Sequence, residues 1–194
     1  MNTRMELADA CQLTDSLWVG GQLDRTDPVL AHRQLDELSA AGIDSIIDCR
    51  YEADDVDWIT AAKPQIDYLH IGVQDAGLRM PEDWFDVGTD YALEQIKNGH
   101  VVHVHCQAGI NRGPSMAFAI LIAQGWDAVE ALDHIRSVRQ IARIGYAEDA
   151  VVWLAAKVGG SVSDRSSQMN RVRAWRAANQ LPRRSDKRAY GNPT

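Results

Sequence analysis

Along this chain, short apolar runs of strand length alternate with longer stretches in which apolar residues recur every three or four positions. Leu17-Trp18-Val19, closed by Gly20-Gly21, reads as a strand. Pro28 opens a stretch that lines Leu30, Leu35 and Leu38 along one helical face and stops near Gly42. The β-branched run over residues 43–49 is a second strand. A weaker third, over 66–73, leads into the turn-rich Gln74-Asp75-Ala76-Gly77. Pro81 falls in the first turn of a helix that ends at Asn98-Gly99. Val101-Val102-His103-Val104-His105 is the next strand, followed by a glycine-containing loop over 106–113. Pro114 then starts a helix that buries Met116, Ile120 and Leu121, and two more helices are expected over 127–139 and 146–157. Strands alternating with helices in this order predict an α/β fold: a single domain with a central, mostly parallel, twisted sheet flanked by helices.

Composition narrows the class. The chain's 194 residues suit one domain, and its 45% hydrophobic and 24% charged residues are ordinary for a folded one. No stretch approaches the roughly 18 apolar residues of a membrane-spanning helix. The opening Met1–Glu6 region leads into no apolar segment, so no secretory signal is expected and the cytoplasm is the expected compartment. Cys11, Cys49 and Cys106 are too few and too scattered for a disulfide framework or a zinc site, and neither metal nor other cofactor is expected.

Charge divides the chain. Residues 1–160 carry 12 Lys and Arg against 25 Asp and Glu (12 − 25 = −13), and residues 161–194 carry 8 against 2 (8 − 2 = +6). The expected organisation is a catalytic domain over 1–160 and a basic extension over 161–194. In the extension, Met169, Val172 and Trp175 recur at helical spacing among Arg171, Arg173 and Arg176. The simplest reading is a helix that packs Trp175 onto the domain and leaves the arginines in water, with a disordered end after Leu181. A nucleic acid or an acidic partner would find affinity only on this basic segment.

The chemistry sits in His105-Cys106-Gln107-Ala108-Gly109-Ile110-Asn111-Arg112. An isolated cysteine is ordinarily a small buried hydrophobe. This one stands between the end of a strand and the first turn of a helix. Backbone N–H groups of such a loop can converge on one point, and the helix N-terminus adds partial positive charge. Both favour a reactive thiolate and a bound anion. Arg112, six residues on, is near enough to fold over the same cradle and hold two phosphate oxygens at once.

This loop resembles the His-Cys-x5-Arg signature of the cysteine-dependent protein tyrosine phosphatases, and is most similar to the dual-specificity branch. That branch commonly reads His-Cys-x-Ala-Gly-x-Ser-Arg-Ser, matched here at His105, Cys106, Ala108, Gly109 and Arg112. The segments 17–21, 43–49 and 68–71 followed by Asp75 also appear in the branch's order, so the likeness spans residues 12–158, specifically at the loop and loosely elsewhere.

The resemblance implies hydrolysis of phosphomonoesters through a phosphocysteine. Cys106 would be the nucleophile. Arg112 and the N–H groups of Gln107, Ala108, Gly109, Ile110, Asn111 and Arg112 would stabilise the phosphoryl oxygens, and His105 would orient the cysteine through hydrogen bonds. An aspartic acid would protonate the leaving oxygen. Asp75, on a loop after a strand and 31 residues before Cys106, stands where the branch carries that acid. The plainer alternative is that it caps a turn with Gly77. Asp83 and Asp86 are rivals inside the next helix, while His70 and His103 read as structural.

Asn111 replaces a common serine, a change expected to be tolerated. Gly113 is the departure with consequences. The family usually places there a Ser or Thr whose hydroxyl helps the thiolate leave, so slow breakdown of the phosphocysteine is expected. Glycine at this point also suits an N-cap before Pro114, with Ser115 pointing elsewhere. Cys49 ends a strand expected beside that of Cys106. It is either a plain buried cysteine or, as in some family members, a reversible disulfide partner.

The expected substrate is a phosphorylated protein, through phosphotyrosine and then phosphoserine or phosphothreonine. RNA 5′-triphosphates gain from Asn111-Arg112 and the basic extension but lose from Asp75. Phosphoinositides lose from the lack of basic residues between Cys106 and Arg112. A phosphate-binding pseudophosphatase is kept alive by Gly113, and a sulfurtransferase is opposed by the His-Cys pair and the loop spacing. Arg79, just past Asp75, either touches substrate or is solvated.

Overall fold

Val101–His105, the strand that runs into the cysteine loop, lies at the middle of a five-stranded sheet. The computed structural model describes residues 4–181, so the expected disordered end lies outside the described residues. Its strands are β1 (Ala10–Thr14), β2 (Leu17–Gly20), β3 (Ile43–Arg50), β4 (Asp67–Val73) and β5 (Val101–His105), in the spatial order β1-β2-β5-β3-β4. β1 and β2 form an antiparallel pair, and every other pairing is parallel. The helices are α1 (Pro28–Ala40), α2 (Val56–Ala62), α3 (Glu82–Lys97), α4 (Arg112–Ala123), α5 (Ala128–Val138), α6 (Ala147–Lys157) and α7 (Val162–Ala178).

Alternate side chains of the sheet feed two cores. Trp18 and Ile46 face α1 and α2, where Leu35, Leu38 and Ile59 are buried. Leu17, Val19, Ile47, Val102 and Val104 face the opposite way, against α3, α4, α5 and α6. Residues 112–122 of α4 are all buried, so this helix is enclosed on every side. The cysteine loop therefore joins the central strand to the central helix. Parallel sheets bind ligands at the carboxyl ends of their strands, which is where this loop lies.

Two elements escape the hydrophobic pattern. β1 is a short edge strand with partly exposed Gln12 and Thr14, and α2 has only seven residues, too few for a helical period to emerge. The start of α4 also differs from expectation. It begins at Arg112 with Asn111 as N-cap, so Gly113 and Pro114 both lie within the first turn. Proline is tolerated throughout that turn and marks the turn rather than its first residue.

The extension forms α7, which packs on α5 and α6 through buried Val172 and Trp175. Trp175 donates its Nε1 hydrogen to Asp133, and the Arg136 guanidinium lies 5.2 Å from its ring. The arginines expected in water are paired with the acidic body: Arg171 with Asp127, and both Arg173 and Arg176 with Glu148. A domain of net negative charge attracts a basic helix, and partners were at hand. No helix among the described residues is long and apolar enough to cross a membrane.

Removing the Trp175 ring leaves a cavity, so Trp175→Ala should lower stability by about 3 kcal/mol. Arg171→Ala breaks a solvent-exposed pair and should cost less than about 1 kcal/mol. Urea unfolding of both variants measures the difference.

Candidate active site

In the loop between β5 and α4, the carbonyls of Gln107 to Asn111 are each taken by a donor. Gln107 O accepts from Gln22 N (3.2 Å), Ile110 O from Arg143 N (2.6 Å) and Asn111 O from Ser115 N (2.8 Å). Ala108 O accepts from Arg139 Nη2 (3.0 Å) and Gly109 O from Arg139 Nε (2.6 Å). By contrast, the six amide N–H groups of Gln107 to Arg112 make no hydrogen bond among the described residues. A planar trans peptide points its N–H opposite to its C=O, so donors that draw the carbonyls outward turn the amides inward. Unmet amides ahead of a helix N-terminus form a site for an anion.

Arg139 is the residue that enforces this geometry. It is buried despite its charge, and Asp9 neutralises it at 2.6 and 2.9 Å. Burial by itself would pull its proton affinity down, but Asp9 outweighs that and holds the guanidinium charged. Gly109 suits this arrangement for two reasons. Its φ is +58°, and a Cβ there would come 2.3 Å from Arg139 Nη2 and 2.6 Å from the Gly20 carbonyl carbon.

Arg112 lies beside the cradle with its orientation set by others. Its Nη1 and Nη2 each donate to a Glu52 carboxylate oxygen at 2.8 Å, and Nη1 also reaches Val73 O (3.0 Å) and Cys49 O (3.4 Å). Its Nε is buried and has no partner, which leaves one more donor for a ligand. The Arg112 hydrogen bond pulls the Glu52 carboxyl down to about 2 from an ordinary 4.5. Cys106 itself is 3% exposed.

Asp75 is brought to the loop by two residues that bond the same oxygen. Asn111 Nδ2 donates to Asp75 Oδ1 at 2.6 Å, and the Tyr146 hydroxyl donates to it at 2.7 Å. Burial and this bond push the Tyr146 phenol up to about 12. Asn111 also accepts from Gly145 N at 2.6 Å, so it ties three loops together. Serine has no side-chain amide to make both bonds. Asp83 and Asp86 lie in α3 as expected, and Asp86 is occupied by Trp153 and Lys157. Ser115 accepts from Tyr146 N, which turns its hydroxyl to that bond. Gly113 faces the end of β5, where a Cβ would lie 3.1 Å from Cys106 N and from the His105 carbonyl carbon.

His105 ends β5 with its ring buried. Its Nδ1 has no hydrogen-bond partner of normal geometry, although the Cys106 backbone lies close enough to raise its proton affinity. Its Nε2 is 3.7 Å from Asp48, and its ring stacks on His103. Burial keeps both rings neutral. Beneath them, fully buried Arg50 is neutralised by Asp48 and Asp55, and Tyr68 donates to Asp48 at 2.6 Å. Cys49 lies on β3 one step past the Asp48–His105 register pair, so the two cysteines end neighbouring parallel strands, and both are free thiols. Burial pushes the Cys49 thiol up. His70 bonds Arg50 O, a structural role, and Arg79 pairs only with Glu82 at 3.3 Å.

Sequence reasoning missed Arg139, Asp9, Glu52 and Tyr146. Arg139 had a signal, since it continues the buried stripe of Ala128, Leu132 and Ile135 and is charged. The other three are marked only by the tertiary fold.

Comparison with known proteins agrees with this geometry. The family described as dual specificity phosphatase, catalytic domain, matches residues 29–148, more than half of the chain. Among solved structures, PTPMT1 in complex with PI(5)P is 19% identical with a TM-score of 0.61, covering 75% of this chain and 94% of its own. Tk-PTP in its active form is 19% identical (TM-score 0.61; 76% and 95%), and human DUSP28 is 16% identical (TM-score 0.62; 79% and 97%). No curated protein matches the chain in sequence.

Two outcomes follow from the site. Arg139→Met leaves Asp9 with only the exposed Arg4 at 3.7 Å and frees two loop carbonyls, so vanadate binding should weaken by at least about tenfold and stability fall by about 3 kcal/mol. Isothermal titration and urea unfolding read these. Glu52 has a depressed folded-state value, so its contribution is present above about 4.5 and is lost as pH falls toward about 2. Glu52→Gln should lose less stability over that acid window than the wild type, as read from unfolding midpoints against pH.

Proposed function

We propose that this chain, which belongs to the dual specificity phosphatase catalytic-domain family, dephosphorylates proteins in the cytoplasm. Phosphotyrosine is its first substrate, with phosphoserine and phosphothreonine behind it. The observation that carries the reading is the loop that follows Cys106: its amides from Gln107 to Arg112 make no hydrogen bond among the described residues, and the buried Arg112 Nε has no partner. Its donors match the equatorial oxygens of a phosphoryl group in transfer.

The Cys106 thiolate attacks phosphorus and the P–O bond to the alcohol or phenol breaks. Asp75 delivers its proton to the departing oxygen. With Oδ1 held by Asn111 and Tyr146, Oδ2 is the oxygen left to carry that proton. Asp75 then takes a proton from water, whose oxygen attacks the phosphocysteine and releases inorganic phosphate and the Cys106 thiolate. Gly113 offers no hydroxyl to that thiolate, so the second step is the slow one.

Two features that point toward an RNA substrate have other partners among the described residues. Asn111 is accounted for by its bonds to Asp75 and Gly145, and Arg171, Arg173 and Arg176 by carboxylates of the body. A phosphoinositide is the second reading, favoured by the bound PI(5)P of a structure with this fold.

The test is metal-free phosphate release from phosphotyrosyl and phosphothreonyl peptides, a soluble phosphoinositide and an RNA 5′-triphosphate. The phosphotyrosyl peptide should lead, with a burst before a lower steady rate. Cys106→Ser should abolish release, and Asp75→Asn should lower kcat by about 10²–10⁴. Release that survives Cys106→Ser would contradict the reading.

A further inference from the structure

One nitrogen of Arg112 fastens the ends of two strands. Its Nη1 donates to the Cys49 carbonyl of β3 at 3.4 Å and to the Val73 carbonyl of β4 at 3.0 Å. Two residues past Val73 stands Asp75, the acid of the proposed reaction. Two residues past Cys49 stands Tyr51, a side chain that the mechanism does not use. Asp75 and Tyr51 therefore follow neighbouring parallel strands at the same remove from Arg112, at the carboxyl end of the sheet where the cradle lies.

The backbone on either side of Tyr51 is held. Before it, the Arg50 carbonyl accepts from His70 Nε2 at 2.6 Å, and Gly72 packs so near that a Cβ there would lie 2.2 Å from the same oxygen. After it, Glu52 takes both Nη atoms of Arg112 at 2.8 Å. The Tyr51 side chain is left open. It is 61% exposed, and neither its ring nor its hydroxyl meets a partner among the described residues. Tyr68, Tyr91 and Tyr146, by contrast, each engage the hydroxyl in a hydrogen bond to another side chain. A large ring on a fixed base beside an anion site offers contact area at a low entropic cost.

The oxygen that Asp75 protonates is bonded directly to the ring in a phosphotyrosine. That ring therefore begins at the height of Asp75 and runs outward from the cradle. A phosphothreonine has only a short branched carbon there, which draws its backbone down to the rim. A tyrosine pointing outward beside the same arginine has the length to lie along the substrate's ring.

We propose that Tyr51 is a specificity-determining residue for aryl phosphomonoesters, packing its ring on the aromatic ring of a phosphotyrosyl side chain seated at Cys106. The inference rests on the phosphatase reading above and names the side chain that selects its first substrate. The contact is made by the ring face, so the Tyr51 hydroxyl is dispensable to it.

The experiment compares phosphotyrosyl and phosphothreonyl peptides of one sequence on wild type, Tyr51→Ala and Tyr51→Phe. A phenol leaves more readily than an alcohol whatever Tyr51 does, so the readout is the change in the ratio between the two peptides. Tyr51→Ala should lower kcat/KM for the phosphotyrosyl peptide by about tenfold, mainly through KM, the range of an aromatic pair and the area it buries. The phosphothreonyl peptide should lose far less. Tyr51→Phe should keep the wild-type ratio. Kd for both peptides on the Cys106→Ser chain, with and without Tyr51→Ala, reads the same difference without turnover. The urea midpoint of Tyr51→Ala should stay at the wild-type value, because an exposed ring supports little of the fold.

Equal losses on both peptides, no loss on either, or a Tyr51→Phe chain that behaves as Tyr51→Ala would overturn the inference. Suppose instead that the wild type turns over neither peptide, yet Cys106→Ser binds the phosphotyrosyl peptide more tightly and Tyr51→Ala removes that preference. The phosphatase reading is then rejected and the ring contact stands. No turnover and no Tyr51-dependent Kd would reject both.

Discussion

Six consecutive backbone amides, Gln107 to Arg112, without a hydrogen bond among the described residues are an arrangement that secondary structure ordinarily prevents. A donor left without a partner costs about 1–3 kcal/mol where it is buried, so such a loop persists only where its other half is tightly held. Here the other half is the carbonyls of Gln107 to Asn111, taken by Gln22, Arg139, Arg143 and Ser115. The same constraint explains features that look unrelated along the chain. Arg139 is buried because it must reach two carbonyls, Asp9 is near it because a buried guanidinium needs a counter-charge, and Gly109 is glycine because nothing larger fits beneath Arg139. An anion is the missing partner of the whole assembly.

Around that cradle, charged groups are fixed in pairs that leave selected atoms free. Glu52 takes both Nη atoms of Arg112 and leaves Nε; Asn111 and Tyr146 take Oδ1 of Asp75 and leave Oδ2. Such partial satisfaction orients a side chain while preserving its reactive edge, and it lowers the reorganisation needed during phosphoryl transfer. α7 extends the principle to the surface. Its basic residues neutralise Asp127 and Glu148, and its Trp175 and Arg176 line a cavity beside the catalytic loop.

Much of this was legible before the fold was known. The central strand, the cysteine loop, the helix after it and the α7 stripe of Met169, Val172 and Trp175 all follow from period and turn residues, because burial of one face dictates that pattern. Cys106, Arg112 and Asp75 were legible because one is set by loop spacing and the others by distance from it. Asp9 and Glu52 were not. Asp9 precedes a short edge strand and Glu52 follows a long buried one, and each looks like an ordinary surface acid until strand pairing, antiparallel for the first and parallel for the second, carries it to the loop. Asn111 read as a tolerated replacement, and its two bonds depend on Asp75 and Gly145, 36 and 34 residues away.

The central claim is that the cradle exists to hold a phosphoryl group on Cys106. Rapid acid quench of the wild-type chain during turnover of a phosphotyrosyl peptide, followed by peptide mapping by mass spectrometry, tests it directly. The account predicts a phosphoryl adduct on Cys106 that accumulates within the burst, because Gly113 leaves its breakdown slow. An adduct on another residue, or full turnover with no protein-bound phosphate at any quench time, would contradict it.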